Sequence, residues 1–221
     1  MSIYQIAIDG PSGSGKSTLA KGVSKKLGIM YLDTGAMYRT CGLSALKKGI
    51  DPKDVDAVTK MLETMTLEVK FVDGEQHMIL DGEDVTGFIR TPEVSMAASS
   101  ISALPVIRKA MVDYQREISR SQSFVLDGRD IGSNVLPNAK YKFFLTASAE
   151  TRAERRLAEL LSRGDNSQNY EEVLRDIIQR DKQDSERAAA PLVKVDDAIE
   201  IDTSKIGIEE TLETLLSYVK E

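Results

Sequence analysis

Short apolar runs alternate along this chain with stretches whose apolar residues recur at helical spacing. Ile3 to Ile8 is a run ending at Asp9-Gly10, the pattern of a strand buried on both faces of a parallel sheet. From Lys16 to Leu27, the residues Leu19, Val23 and Leu27 fall four apart and predict a helix. A second run, Ile29 to Leu32, leads into a predicted helix from about Gly35 to Lys48. Later runs at Phe124 to Leu126, Tyr141 to Leu145 and Ala198 to Ile201 bring the strands to about five, nearly all separated by helical stretches. That alternation predicts an α/β fold: a doubly wound, parallel five-stranded sheet with helices on both faces.

One stretch departs from the pattern. Between Leu67 and Arg90, Leu67, Val69 and Phe71 alternate, Asp73-Gly74 offers a hairpin turn, Met78 and Leu80 alternate again, and Asp81-Gly82 supplies a second turn. This reads as a small antiparallel insert, preceded by a helix at about Pro52 to Met65 and followed by helices at about Pro92 to Ala103 and Pro105 to Ser121. His77 falls within it as an exposed strand residue. With no repeats, low-complexity tracts or linkers, residues 1–221 are expected to form one domain, with the insert at about 52–103.

Charge narrows the partners. The chain has 29 Lys+Arg against 35 Asp+Glu, a net charge of −6, so a broad nucleic-acid-binding surface is not expected, although a few placed arginines can still bind small phosphates. The lone Cys41 excludes an internal disulfide and is expected to be a partly buried helix residue. With one Cys and one His, a zinc site of the Cys/His type cannot be built. No apolar run approaches the roughly 18 residues of a spanning helix, and the N-terminus has no signal-peptide pattern, so a cytoplasmic location is expected. A monomer is expected, since no coiled-coil pattern or separate interaction segment is visible.

The strongest chemical signal is Gly10-Pro11-Ser12-Gly13-Ser14-Gly15-Lys16-Ser17, which satisfies G-x-x-x-x-G-K-[ST] between an apolar strand and a helix. Glycines let the backbone wrap phosphates, and the helix N-terminus presents free N–H donors and the positive end of its dipole. Lys16 would bridge the terminal phosphates and Ser17 would place its hydroxyl on Mg²⁺. A glycine-rich turn that binds nothing explains the glycines but not the Lys-Ser pair. The guanine-reading N-K-x-D is absent; Asp181-Lys182-Gln183-Asp184 lacks the leading Asn.

Further anion sites are expected. Asp33-Thr34-Gly35-Ala36-Met37-Tyr38-Arg39 puts a hydroxyl and an arginine at a loop-to-helix junction. Seven of the 13 arginines lie between Arg152 and Arg187, and planar guanidinium forks suit phosphate. Arg152, Arg155, Arg156 and Arg163 fall near one helix face; after the polar break from Gly164 to Asn169, Arg180, Asp184 and Arg187 share a face of a second helix. This hinged, arginine-bearing pair, about 149–187, predicts a helical lid that excludes water during phosphoryl transfer, although a solvated pair laced with Glu–Arg contacts has the same pattern. Finally, Phe124-Val125-Leu126 ends in Asp127-Gly128-Arg129-Asp130, where Asp127 suits a Mg²⁺ ligand, Arg129 a phosphate and Asp130 a polar substrate group.

Together these segments resemble the bacterial cytidylate kinases, members of the nucleoside monophosphate kinase family. The resemblance spans essentially the whole chain: IDGPSGSGKST, LDTGAMYR, DGEDVTGFIRTPEV, AAS before PVIR, LDGRDIGS and RDKQDSERAAAPL. It implies transfer of the γ-phosphoryl of ATP to CMP or dCMP with Mg²⁺. On this sequence it implies that Gly10 to Thr18 hold the ATP phosphates, with Arg155 of the lid, and that Ser17 and Asp127 hold the metal. Arg39, Arg129 and Arg187 would contact the acceptor phosphate beside Thr34 and Tyr38. Ser99, Arg108 and Asp130 match positions that read cytosine, and Arg180 and Asp184 match those near the ribose. Lys16, Arg129, Arg180 and Arg187 would be the catalytic cations. Alternatives are a P-loop kinase acting on another nucleotide or small metabolite, and a nucleotide-binding regulatory switch.

Overall fold

The computed structural model describes residues 3–162 and 164–219. Arg163, expected on the lid helix, lies outside them. In chain order the elements are β1 (Gln5–Asp9), α1 (Lys16–Leu27), β2 (Met30–Asp33), α2 (Thr34–Lys47), α3 (Val55–Thr64), β3 (Leu67–Val72), β4 (Glu75–Leu80) and β5 (Glu83–Asp84). There follow α4 (Pro92–Ile101), α5 (Pro105–Ile118), β6 (Phe124–Gly128), a single π-helical turn (Ile131–Val135), β7 (Tyr141–Thr146), α6 (Ala149–Ser162), α7 (Tyr170–Glu186), β8 (Ile199–Asp202) and α8 (Ile208–Tyr218). The fold is α/β, with a five-stranded parallel sheet flanked by helices on both sides and a separate antiparallel sheet of three strands. The chain divides into two compact units: Met1–Ile29 with Phe124–Glu221, and Met30–Ser123.

In the first unit β6, β1, β7 and β8 lie side by side in that order. Ile6, Ala7 and Ile8 of β1 are wholly buried because both flanks of the strand are paired and both faces covered, which is why the run is apolar without alternation. The register sets Ile8 level with Asp127 and Asp9 level with Gly128, so the strand ends that carry the glycine loop and Asp127 are adjacent. The π-helical turn was not anticipated from the sequence. Its N-terminal groups are tied down by Asp9, which accepts from the N–H of Ile131 at 2.8 Å and of Gly132 at 2.7 Å. Helices α6 and α7 form a hairpin around Ala153, Leu160, Val173 and Ile177. A capping box starts α7, with Asn169 accepting from Glu172 N–H and Glu172 accepting from Asn169 N–H.

The second unit holds the hairpin insert. β3, β4 and β5 are antiparallel, and Asp73-Gly74 and Asp81-Gly82 both have positive φ, as the tight turns read from the sequence require. Helices α2 and α4 touch backbone to backbone at Gly42, where a Cβ would lie 2.8 Å from Ala98 N. Cys41 is wholly buried rather than partly so, its Sγ 3.7 Å from Met111 Sδ, and burial pushes its thiol up to about 12. His77 is on β4 and its Nδ1 lies 2.7 Å from an Asp84 oxygen.

Candidate active site

The first unit carries the phosphate loop. β1 ends against Gly10, whose close approach to the next strand admits no side chain: a Cβ there would collide with Leu145 O. Gly15, at φ 90°, precedes α1 with no side-chain cap, so the first N–H groups of the helix are left for an anion. Pro11 and Ser14 are buried, Ser12 and Gly15 partly so, and Gly13 and Thr18 face outward. Lys16 is buried; its Nζ donates to Pro11 O at 2.6 Å and lies 3.5 Å from Ser14 Oγ, curled within its own loop. Burial, followed by the nearby Arg129 guanidinium, pulls its pKa down to about 7 against the opposing carboxylates of Asp127 and Asp184.

One residue further on, Ser17 Oγ donates to Asp127 Oδ2 at 2.8 Å. A hydroxyl in the first turn of α1 and a carboxylate near the end of β6, held together, are hard oxygen donors, the chemistry that Mg²⁺ takes when phosphates supply further ligands. Behind them Asp9 is buried, and this burial pushes its carboxyl up to about 6 despite the two backbone N–H groups it accepts from.

Arginines and aspartates interlock beyond the loop. Arg129 donates from Nε to Asp184 Oδ2 at 2.7 Å. Arg187, at the end of α7, donates to Asp130 Oδ1 at 3.1 Å and to Ala190 O at 2.6 Å, while Asn134 Nδ2 donates to Asp130 Oδ2 at 2.9 Å. Arg129, Asp130, Asp184 and Arg187 are thus brought together, each neutralised by another of the group. Arg180 differs: among the described residues it makes no hydrogen bond or salt bridge, and burial, then the charge of Arg156, lowers its pKa. Burial, the largest influence, works against the charge of Arg129 too, but Asp184, hydrogen-bonded to it, together with Asp127 and Asp181 raises its pKa.

The expected single arginine face on α6 separates into three roles. Arg152 is buried and forms a two-pronged pair with Asp181 of α7 at 2.9 and 2.6 Å, while donating to Ser12 O at 3.0 Å and Ala147 O at 2.9 Å. Arg155 turns to Thr203, donating to its Oγ1 at 3.0 Å and its carbonyl at 2.6 Å; Thr203 Oγ1 lies 3.3 Å from Ser14 O, so Arg155 reaches the phosphate loop through it. Arg156 pairs with Glu159 at the surface. The sequence showed Arg152 only as one of a helix-face set and pointed to no site role for Asp181, Asn134 or Thr203; the partners of Arg152, Asp181 and Thr203 lie far along the chain, and Asn134 meets Asp130 four residues away.

The second unit carries a separate cationic cluster at the start of α2. Asp33 caps the helix, accepting Ala36 N–H at 2.8 Å with Oδ1, while its Oδ2 receives Arg39 at 3.0 Å and Arg90 at 2.8 Å. Burial acts to raise the Asp33 carboxyl, but Arg39 and then Arg90 outweigh it and hold it below the usual carboxylate range. Thr34, the first residue of α2, is buried. Arg108 of α5 is buried too, with its guanidinium 5.6 Å from the centre of the Tyr38 ring, and Ser99 is half-buried on α4. Asp33, Gln76 and Arg90 were not singled out from the sequence; Asp33 begins the segment read as a loop-to-helix junction, and the other two act through it.

A glycine loop opening an uncapped helix, a buried lysine, a Ser–Asp pair joining the first turn of that helix to the neighbouring strand end and a set of arginines beyond them define a P-loop phosphate-binding α/β protein. Similarity to known proteins narrows the class. A family model described as Cytidylate kinase matches residues 6–221. A cytidylate kinase of Caldicellulosiruptor bescii is 47% identical over 216 residues, 98% of this chain and 95% of that one. One from Fervidobacterium nodosum is 49% identical over 217 residues, 98% and 96% of the two chains. One from Shouchella clausii is 46% identical over 218 residues, 99% and 96%. Among solved structures, an uncharacterized protein from Eubacterium ventriosum shares the fold, with a TM-score of 0.50 at 12% identity over 97% of both chains. The chain belongs to the cytidylate kinase family. No helix among the described residues is long and apolar enough to cross a membrane.

Proposed function

We propose that this protein transfers the γ-phosphoryl group of ATP to CMP and dCMP, forming CDP or dCDP and ADP. The observation that carries the reading is the whole-length likeness to proteins named cytidylate kinase, at 44–49% identity, in a chain that keeps the complete phosphate loop.

In this reading the N–H groups from Gly10 to Thr18 and the N-terminus of α1 bind the ATP phosphates, and Lys16 Nζ exchanges Pro11 O for a terminal phosphate oxygen. Ser17 and Asp127 would hold Mg²⁺, which when bound offsets negative charge on the phosphates. The acceptor is already an ionised phosphate oxygen: it attacks the γ-phosphorus, the bond to the bridging oxygen breaks, and ADP leaves with that electron pair. No side chain has to remove a proton. Rate then comes from alignment and fixed cations, for which Arg39, Arg129, Arg180 and Arg187 are the candidates. The one with no hydrogen-bonded acid among the described residues, Arg180, is the most readily recruited by an anion. Arg155 supports the donor side by way of Thr203 and the Ser14 carbonyl. The α6–α7 hairpin is the proposed lid, with its tip at Gly164 to Asn169.

Base choice rests on Ser99, Arg108 and Asp130. A carboxylate accepts from the cytosine amino group and a guanidinium donates to O2 and N3, whereas uracil would set a carbonyl against the carboxylate. Buried mispairing discriminates strongly, so CMP and dCMP should be preferred clearly over UMP. ADP release measured with CMP, dCMP, UMP and AMP tests this: equal kcat/KM for UMP and CMP defeats the base assignment, and no acceptor-stimulated ADP release defeats the kinase reading.

A further inference from the structure

Gln76 stands where the alternation of the hairpin calls for an apolar side chain. Met78 and Leu80, two and four residues further along β4, are buried on the same face. A polar residue in such a row marks a place where local pattern is given up for a specific partner. The partner is the backbone of Asp33: Gln76 Oε1 accepts from Asp33 N–H at 2.7 Å, and Gln76 Nε2 donates to Asp33 O at 3.2 Å. The carboxamide therefore does what a neighbouring peptide would do, supplying both an acceptor and a donor to the last residue of β2.

From Asp33 the constraint passes to a cation. The Asp33 carboxylate is fixed at one oxygen by Ala36 N–H and holds the Arg39 guanidinium by the other, with Arg90 drawn to the same atom. Arg39 Nε is buried and has no hydrogen-bond partner among the described residues. A guanidinium gripped at one nitrogen, with a second donor desolvated and unused, is prepared to take an anion without first giving up a bond at that donor.

We propose that Gln76 is a positioning residue of the acceptor site: by clamping the backbone of Asp33 it fixes the carboxylate that aims Arg39 at the acceptor phosphate. The inference rests on the reading of Arg39 as an acceptor-phosphate ligand. The alternative is a stitch that holds the hairpin to α2 and affects stability alone.

A double-mutant cycle separates the two. Gln76→Met keeps the length and approximate bulk of the side chain while removing both hydrogen bonds to Asp33, along with the Nε2 contact to Met78 Sδ. It should lower kcat/KM for CMP about tenfold, well within the ~10²-fold that a displacement of 1 Å can cost, and leave KM for ATP unchanged. On an Arg39→Met background the same substitution should change kcat/KM for CMP by less than about twofold, because its route of action is gone. An unchanged kcat/KM in the single variant overturns the proposal, and so does a tenfold loss that persists without Arg39. If Gln76→Met does not fold, Gln76→Glu keeps the acceptor for Asp33 N–H, loses the donor, and is put through the same cycle with the same criteria. The wild-type chain is first assayed with CMP, dCMP, UMP and AMP. Use of a different monophosphate defeats the CMP reading and the cycle is run on that acceptor; turnover of none overturns both.

Discussion

Near neutral pH the ammonium of Lys16 is divided between two protonation states, because burial and Arg129 bring its pKa to about 7. A bound phosphate favours the charged form, so binding ATP with Mg²⁺ raises that pKa and takes up a proton wherever the free protein has lost one. Uptake is therefore absent well below pH ~7 and grows above it, and affinity weakens as pH rises through that window. Calorimetry at about pH 8 in buffers of different ionisation enthalpy should reveal the proton, and Lys16→Met should abolish it; identical heats for the wild type in all buffers would contradict the assignment. At this scale the sequence was informative about residues whose neighbours in the chain define them. Gly15, Lys16 and Ser17 announce their roles by spacing. Asp9, Arg152 and Gln76 do not, since each is defined by a partner reached only after folding: Ile131 and Gly132, Asp181, and the backbone of Asp33.

Helices and strands were legible where their signals are local. The extent of α1 follows from the glycines at both ends and its four-residue apolar spacing, and the hairpin from two Asp-Gly turns between alternating strands. The π-helical turn was illegible because its support comes from Asp9, on another strand. The contact of α2 with α4 at Gly42 also depends on space rather than sequence, and it has a measurable consequence. In an exposed helix, glycine to alanine gains up to about 1 kcal/mol. At Gly42 the added methyl would lie 2.8 Å from the Ala98 backbone nitrogen, which cannot rotate away as a side chain can. Gly42→Ala should therefore destabilise the protein by roughly 1–3 kcal/mol, read from the urea midpoint at unchanged slope. A higher midpoint would mean that the helices separate freely.

For the molecule as a whole, a net charge of −6 coexists with local clusters of cations, each arranged against its own acids: Lys16 and Arg129 near Asp127 and Asp184, Arg187 on Asp130, Arg39 and Arg90 on Asp33. The average therefore describes the solvated surface and says little about the ligands. The bond network around the phosphate loop also has a consequence in time. The loop is synthesised before the strands that support it: β1 pairs on both sides with strands from more than a hundred residues later, and Ser14 O meets Thr203 Oγ1 across a separation of 189 residues. A nascent chain can thus display the whole glycine motif and still be unable to hold a nucleotide. Contacts so distant in sequence form late and slowly. In refolding followed by pulsed hydrogen exchange, ATP binding and protection of the β8 amides should appear in the same kinetic phase, and binding that precedes protection would refute this. Competence for nucleotide is then a property the chain acquires only once β8 is in place, so occupancy of the glycine loop reports on a strand far along the chain.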